Sequence, residues 1–181
     1  MREIRHVALA VTGASGAVYG LRLAQELLAA GIRLSLVISA AGLLVLREEQ
    51  GVDLPHDPEA QTAALRERFG AAGETLTCYG EKDFFAPMAS GSNAPDAMVV
   101  CPCSMGTLGR VAAGLSSNLI ERAADVMVKE GRPLLLVPRE TPLSAIHLEN
   151  MLKLARLGVK MVPAMPGFYG GPRTLDDLVN F

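Results

Sequence analysis

Apolar residues form short continuous runs that alternate with segments whose apolar positions recur every three or four residues. The first run, residues 6–12, has the length and apolar character of a buried strand. Glycines at 13, 16 and 20 follow it and open a helix over residues 17–30. Later runs predict strands at 34–38, 76–79, 96–101, 133–138 and 159–162. The helical spacing and cap residues predict helices at 40–49, 59–69, 119–129, 141–157 and 174–181.

Strands that alternate with helices are typical of an α/β domain with a doubly wound parallel sheet. The sequence shows no internal repeat, low-complexity segment or linker, so we expect a single domain over residues 1–181. The longest irregular stretch, residues 80–95, is rich in Gly, Ser, Ala and Pro, and long loops of this kind are often functional. Ligands of such sheets bind outside the carboxyl ends of the strands, which is where a site is expected.

The turn after the first strand, Gly13-Ala14-Ser15-Gly16, has features of an anion site. Gly13 permits a close backbone approach, and the helix N-terminus offers unpaired N–H groups and a positive dipole end. The spacing is not that of the dinucleotide fingerprint, and Ser39 rather than an acidic residue follows the second strand. Because hydroxyls suit a terminal phosphate, the pattern favours a mononucleotide over NAD. An ordinary glycine-rich turn is the alternative.

Composition narrows the classes of partner. Half of the 181 residues are hydrophobic and the formal net charge is −2, which argues against nucleic acid or an anionic membrane surface as a partner. No apolar run reaches the roughly 18 residues of a membrane helix. Cys78, Cys101 and Cys103 are an odd set without the spacing of a metal or redox motif, and no cluster has metal-ligand spacing. Buried thiols in a reducing cytoplasm are therefore expected.

Polar residues follow several of the predicted strands and should meet at one edge of the sheet. They are Thr12, Gly13, Ala14, Ser15, Ser39, Ser104, Met105, Gly106, Thr107, Arg139 and Glu140. Their joint placement favours one phosphate-bearing ligand, although serines and threonines are also ordinary helix N-caps. The Arg139 guanidinium could clamp a phosphate and the Glu140 carboxyl could exchange protons, or the two could form an exposed ion pair.

Two further features leave alternatives open. Arg122 and Lys129 lie two helical turns apart on one face with Asp125 between them, which suits either a solvated charge ladder or a second anion site. Tyr169 lies in a Pro/Gly loop, where it could cover a ligand or anchor the loop by packing.

A series of motifs runs in order along essentially the whole chain. They are Thr-Gly-Ala-Ser-Gly-Ala at 12–17, Pro-Met-Ala-Ser-Gly-Ser at 87–92, Cys-Pro-Cys-Ser at 101–104, Asn-Leu-Ile-Glu-Arg-Ala-Ala-Asp at 118–125, Val-Pro-Arg-Glu-Thr-Pro at 137–142, His-Leu-Glu-Asn-Met at 147–151 and Pro-Gly-Phe-Tyr at 166–169. Together they resemble the UbiX-type flavin prenyltransferases. The resemblance implies a flavodoxin-like (Rossmann-type) subunit in a homo-oligomer, commonly a dodecamer, with FMN at the subunit interface. It also implies that the family's usual C-terminal segment, with a further basic residue for the prenyl phosphate, is absent here.

The implied reaction joins a dimethylallyl group from dimethylallyl phosphate to reduced FMN, first at flavin N5 and then at C6, without a metal. Its product, prenylated FMN, serves partner decarboxylases such as those of the ubiquinone pathway. The implied FMN-binding residues are Gly13, Ala14, Ser15, Ser39, Ser104, Met105, Gly106, Thr107 and Arg139. Substrate binding is implied for Ser90 and Gly91 over the flavin ring and for Arg122, Lys129 and Tyr169 at the prenyl phosphate. Catalytic roles are implied for Ser15, Glu49, Lys129 and Glu140.

These roles agree with the chemistry. A departing phosphate needs fixed cations, which Arg122 and Lys129 can supply, and Glu140 can act as a base near flavin N5. Two other functions stay open at this point. One is a flavin-dependent cysteine decarboxylase of the same fold, although its Ala-Ser-Ala-Asn-Thr type of loop differs from Ala89-Ser90-Gly91-Ser92-Asn93. The other is a non-catalytic FMN carrier, which needs no second anion site.

Overall fold

A computed structural model describes residues 3–181, and the strands in that range form one parallel sheet. They are β1 (His6–Val11), β2 (Arg33–Ile38), β3 (Leu76–Tyr79), β4 (Ala97–Cys103), β5 (Leu134–Pro138) and β6 (Lys160–Met161). Their spatial order is β3-β2-β1-β4-β5-β6. The chain leaves β1 in one direction across the sheet and β4 in the other. The crevice between these two strands is therefore the topological switch point, where such sheets bind ligands.

Helices cover both faces of this sheet. Within residues 3–181 they are α1 (Ala17–Ala29), α2 (Ala40–Gln50), α3 (Pro58–Phe69), α4 (Met105–Ala112), α5 (Leu119–Lys129), α6 (Ala145–Arg156) and α7 (Leu175–Val179). On one face Leu9 of β1 is buried in a core with α1, α2 and α3, and on the other Ala10 is buried with α4, α5 and α6. Successive residues of a strand point to opposite faces, so a strand covered on both sides is apolar throughout. The predicted doubly wound α/β fold is confirmed.

Two glycines let helices pack closely on the strands of the switch point. A Cβ atom on Gly20 of α1 would lie 2.5 Å from the carbonyl oxygen of Cys101. One on Gly42 of α2 would lie 2.6 Å from the carbonyl oxygen of Val11. Both positions require glycine, because any Cβ there would overlap the backbone of a strand.

Some boundaries differ from the prediction. The helix predicted to begin at Thr141 begins at Ala145, because Ser144 rather than Thr141 is its N-cap and accepts a hydrogen bond from the His147 amide. The last strand is shorter than predicted, and α7 ends before Phe181. The irregular stretch 80–95 contains two short 3₁₀ turns, Pro87–Ala89 and Gly91–Asn93. The first of these turns is buried against α5 through Met88 and Ala89.

The three cysteine side chains are buried and free, as the sequence predicts. Burial raises the pKa of Cys101 and of Cys103 to about 12, so both stay protonated at neutral pH. Among the described residues, no helix is long and apolar enough to cross a membrane. Nor do any three His, Cys, Asp or Glu side chains in residues 3–181 come together as a metal site would require.

Candidate active site

The carboxyl edge of the sheet, meaning the edge at which the strands end, holds most of the predicted site. At the switch point the Thr12 hydroxyl joins the ends of β1 and β4. Its Oγ1 donates to the Pro102 carbonyl oxygen at 2.8 Å and accepts from the Ser104 amide at 2.8 Å. This pair of hydrogen bonds fixes the turn that contains Ser15 beside the N-terminus of α4.

The N-terminus of α1 is already occupied by a carboxylate. Gly16 has φ +103° and places its amide toward Glu49, whose Oε2 accepts from the Gly16 amide at 2.8 Å and from the Ala17 amide at 3.0 Å. The sequence predicted that these amides would be unpaired. Glu49 comes from the end of α2, and a carboxylate at a helix N-terminus is favoured by the helix dipole.

This environment keeps Glu49 ionised. Partial burial raises the pKa of the Glu49 carboxyl, but the hydrogen bonds from Ser15 and the two amides, together with the charge of Arg139, lower it by more. The net pKa lies below the usual value for glutamate. Ser15 and Glu49, two of the predicted catalytic residues, thus lie close together.

The N-terminus of α2 resembles that of α1. Ser39 is the N-cap, and its Oγ accepts from the Gly42 amide at 3.0 Å. The Ala40 amide donates to Oε2 of Glu81 at 2.9 Å, so a second carboxylate lies at this helix end. Ser39 therefore lies at the carboxyl edge as predicted, next to an acidic residue that sequence reasoning missed.

The N-terminus of α4 is different. Ser104 caps it, with Oγ accepting from the Thr107 amide at 3.2 Å. The amides of Met105 and Gly106 make no hydrogen bond within residues 3–181. The N-terminus of α4 thus keeps two adjacent backbone donors for an external anion, and no carboxylate of residues 3–181 accepts from them, which fits a phosphate group.

Arg139 and Glu140 lie just beyond the end of β5, and both are exposed. Oε1 of Glu140 accepts from the Thr141 amide at 3.0 Å. The charge of Arg139 acts on Glu49, as the lowered pKa of that carboxyl shows. The structure therefore brings Arg139 to the Ser15–Glu49 pair.

A second group of predicted residues surrounds α5. Arg122 Nε donates to the Ala89 carbonyl oxygen at 3.0 Å, and its Nη1 lies 3.3 Å from the Asp125 carboxylate. Lys129 forms an ion pair with Glu130 instead of with Asp125. The predicted charge ladder is thus present only at its first step, and Arg122 also anchors the 3₁₀ turn that precedes Ser90.

Lys129 and Arg122 of α5 lie at different distances from the carboxyl edge of the sheet. The α5 helix begins at the carboxyl edge, where the Leu119 amide donates to the Glu81 carbonyl oxygen at 2.7 Å. It ends near the opposite, amino edge, just before Arg132, whose Nη1 donates to the carbonyl oxygens of Ala94 and Pro95. Seven residues of helix place Lys129 about 10 Å further from the carboxyl edge than Arg122.

Of the other predicted substrate-binding residues, Ser90 and Tyr169 are exposed and Gly91 is half-buried. Ser90 Oγ lies 3.0 Å from Ser92 Oγ, and Gly91 packs so closely on Glu130 that a Cβ would overlap its carboxylate. Tyr169 is 89% exposed and contacts Phe181 edge to face, with ring centroids 5.3 Å apart. Within residues 3–181 the Tyr169 ring contacts the ring of Phe181, and most of its surface is free. Its role in covering a ligand therefore stays a prediction.

Sequence reasoning also missed Arg110 and the buried carboxylate of Glu121, which connect α4 to α5. The spacing of Asn118 and Glu121 is the signature of a helix N-cap and could have identified the carboxylate. No local pattern indicates that Arg110 reaches it.

Comparison with known proteins agrees with this geometry. The family model described as Flavoprotein matches residues 1–181. A flavin prenyltransferase UbiX of Pseudomonas aeruginosa is 55% identical over 175 residues, which are 97% of this chain and 84% of that protein. A dodecameric FMN-dependent UbiX-like decarboxylase from Escherichia coli O157:H7 is 43% identical with a TM-score of 0.84, over 96% of this chain and 88% of that one. The structure of AnUbiX (PadA1) in complex with FMN and dimethylallyl pyrophosphate is 36% identical with a TM-score of 0.86, over 98% and 87% of the two chains.

The chain therefore belongs to the Flavoprotein family. Within that family it belongs to the UbiX-type flavin prenyltransferases, and the resemblance found in the sequence motifs is confirmed.

Proposed function

We propose that this protein is a flavin prenyltransferase that joins a dimethylallyl group from dimethylallyl phosphate to reduced FMN, at N5 and then C6, and releases prenylated FMN. The observation that carries the proposal is the carboxyl edge at the switch point. There an open helix N-terminus for a phosphate lies beside a Ser15–Glu49 pair suited to proton handling. The known relatives support the same function.

The donors at this edge fit the phosphate and the polar chain of FMN. Backbone amides of Met105 and Gly106 and the hydroxyls of Ser104 and Thr107 belong to α4, and Ser39 lies at the neighbouring helix end. Gly13, Ala14, Ser15 and Arg139 complete the proposed FMN-binding set. Bound reduced FMN would supply the nucleophilic N5 and C6 atoms of the reaction.

The Ser15–Glu49 pair determines where protons can be held. Glu49 is ionised and lies close to Ser15, so a serine hydroxyl that donates to this carboxylate would keep its lone pairs for an outside donor. A proton given to Ser15 can therefore pass to Glu49 through one hydrogen bond. Glu140 has one carboxylate oxygen bound to the Thr141 amide and is proposed as the base near the flavin.

We further propose that the prenyl phosphate site needs a second copy of the chain. Within one chain Lys129 lies toward the amino edge, far from Ser15, and Ser90 and Gly91 lie on the same side of the molecule. A neighbouring subunit could bring its own Arg122 and Lys129 to this chain's carboxyl edge. The dodecameric assembly of the relative from Escherichia coli O157:H7 supports a homo-oligomer, and a dodecamer is proposed here.

The wider setting of the reaction is also proposed. Prenylated FMN would pass to a partner decarboxylase, as in ubiquinone biosynthesis. A reducing cytoplasm suits the three free, buried thiols. The single domain over residues 1–181 agrees with the range of the family match.

Anaerobic incubation with reduced FMN and a prenyl donor, followed by mass spectrometry of the flavin, tests this function. Dimethylallyl phosphate and dimethylallyl pyrophosphate are compared in parallel, and the expected product is FMN heavier by one dimethylallyl group. Recovery of unmodified FMN with both donors would support an FMN carrier. Carbon dioxide release from a peptide with a C-terminal cysteine would support a cysteine decarboxylase.

Cofactor choice is tested separately. We expect the purified protein to bind FMN and to bind NAD and FAD weakly, because the second strand ends in Ser39 and not in an acidic residue that would hold a ribose. Isothermal titration with the three compounds measures this, and tight NAD binding would contradict the assignment.

A further inference from the structure

A buried carboxylate outside the proposed catalytic residues organises the N-terminus of α4. Glu121 is 1% exposed, and its Oε2 accepts from the Ser117 amide at 2.8 Å. Its Oε1 accepts from Asn118 Nδ2 at 3.2 Å and from Arg110 Nε at 2.5 Å. Burial raises the pKa of Glu121, but these hydrogen bonds and the charge of Arg110 lower it by more, so the carboxylate is ionised.

Arg110 carries this interaction to the proposed FMN site. Its Nη2 donates to Thr107 Oγ1 at 3.3 Å, and Ser104 Oγ donates to the same atom at 3.1 Å. The Ser104 amide in turn donates to the hydroxyl of Thr12. One chain of hydrogen bonds thus runs from the buried Glu121 to the switch point of the sheet.

The geometry at Thr107 fixes the direction of its hydroxyl. Thr107 is 4% exposed, and both lone-pair directions of Oγ1 are used by Arg110 and Ser104. Its own hydrogen is then a donor for a third group. Arg110 also lies beside the open helix end, with Nη1 3.4 Å from the position that a Cβ on Gly106 would occupy.

We propose that Arg110 is a positioning residue of the FMN site. Held by Glu121, it orients the Thr107 hydroxyl toward an anion bound at the N-terminus of α4. The role rests on the proposed function, because FMN is the ligand whose phosphate would lie there. Both partners of the Arg110 guanidinium are buried, since Glu121 is 1% and Thr107 is 4% exposed, and its hydrogen bonds to them are charge-assisted, which suits such an orienting role.

The test is FMN affinity of Arg110→Lys. Lysine keeps the positive charge but cannot bridge Glu121 and Thr107 with two planar N–H groups. We expect the dissociation constant for FMN to rise about tenfold, the size of one charge-assisted hydrogen bond. Arg132→Lys is the matched control, because Arg132 holds backbone carbonyls at the amino edge. Arg132→Lys should lower thermal stability about as much as Arg110→Lys does. It should leave FMN affinity within about twofold of the wild type.

A double-mutant cycle with Thr107→Val separates orientation from simple charge. If Arg110 acts through the Thr107 hydroxyl, Arg110→Lys should weaken FMN binding in the wild type and have little effect in the Thr107→Val background. Thr107→Ser, which keeps the hydroxyl, should restore the effect. Equal losses in both backgrounds, or unchanged affinity in Arg110→Lys, would overturn the proposal. If the unaltered chain does not bind FMN, the proposed function itself fails.

Discussion

At the carboxyl edge, individual side chains decide which helix N-termini are open to an anion. Glu49 takes two amides of α1, and Glu81 takes one of α2. The backbone amides at the start of α4 are left for a ligand among the described residues. At the scale of single residues, the carboxylates at α1 and α2 thus favour the N-terminus of α4 as the anion site.

Lys129 and Ser39 should separate the two proposed anion sites. Lys129→Ala removes one cation from the prenyl phosphate, worth on the order of 1.5–3 kcal/mol in a site closed from water. Formation of prenylated FMN should fall roughly ten- to hundredfold while FMN affinity stays nearly constant. Ser39→Ala should weaken FMN binding instead. The two variants are compared by FMN titration and by product formation under reducing conditions.

Lys160→Ala is the control for loss of a surface charge, because Lys160 is exposed on the edge strand β6. It should leave both measurements unchanged. A Lys129→Ala variant that forms prenylated FMN at the wild-type rate would show that Lys129 serves only its surface pair with Glu130.

His6 should make stability depend on pH. Arg33 Nη2 donates to His6 Nδ1 at 3.0 Å, so the ring hydrogen is on Nε2, which donates to Ser35 Oγ at 2.8 Å. Burial and the charge of Arg33 lower the pKa of His6 to about 4, although Asp96 opposes this. The His6 imidazole is therefore protonated near pH 6.5 in the unfolded chain, but only near pH 4 in the folded chain.

The contribution of His6 to the free energy of unfolding should therefore be fully present above pH 6.5. The free energy of unfolding should then fall as the pH is lowered from 6.5 toward 4. The loss at the lower end of this window is up to about 3 kcal/mol. Urea titrations across this range measure it, and His6→Gln should have a flatter profile between pH 6.5 and 4. An imidazole NMR signal of His6 that titrates near pH 6.5 would contradict the prediction.

At the scale of elements, continuous apolar runs predicted the central strands closely, because β1, β2 and β4 are largely buried on both faces. The edge strand β6 is exposed at Lys160 and is shorter than predicted. Cap positions were less certain. Thr141 and Ser144 both suit an N-cap, and in the structure Ser144 is the N-cap of α6, where it forms a capping box with His147. The contact of Glu49 with Gly16 joins residues far apart in sequence, so no local pattern could predict that a carboxylate occupies the end of α1.

Gly20 allows α1 to lie close to β4 because it has no side chain. In Gly20→Ala the new methyl group would press on the Cys101 carbonyl oxygen, and overpacking of this kind costs about 1–3 kcal/mol. The better helix propensity of alanine offsets about 1 kcal/mol of that cost. Because the obstructing atom is strand backbone only 2.5 Å away, the cost should fall in the upper part of that range, about 2–3 kcal/mol. We therefore expect a net loss of about 1–2 kcal/mol in the free energy of unfolding, measured by urea titration.

Gly170→Ala is the matched control, since a Cβ there meets no atom within 4 Å. It should leave stability nearly unchanged. A Gly20→Ala protein as stable as the wild type would show that α1 can shift outward at little cost.

At the scale of the whole molecule, one chain divides its predicted site residues between two places. The FMN-binding set lies at the carboxyl edge, whereas Lys129 lies toward the amino edge. The sequence placed Arg122 and Lys129 on one helix face correctly, but the direction of that helix relative to the switch point depends on the tertiary structure. The proposed joining of the two sets by a neighbouring subunit would depend on contacts between chains, which no single-chain pattern encodes.

Phe85 should report on that contact. Its side chain is 100% exposed in the chain, so Phe85→Ala removes no packing within a subunit. A fully exposed phenylalanine in an assembly is expected to be an interface anchor, and truncating one costs about 2–4 kcal/mol at each contact. We therefore expect the variant to have a lower particle mass by light scattering and weaker FMN binding, with an unchanged circular dichroism spectrum. Phe85→Leu keeps most of the apolar surface and should retain the assembly. If Phe85→Ala keeps the wild-type mass and FMN affinity, the interface that completes the site does not include Phe85. A monomer with full FMN occupancy would show that no second subunit is needed for cofactor binding.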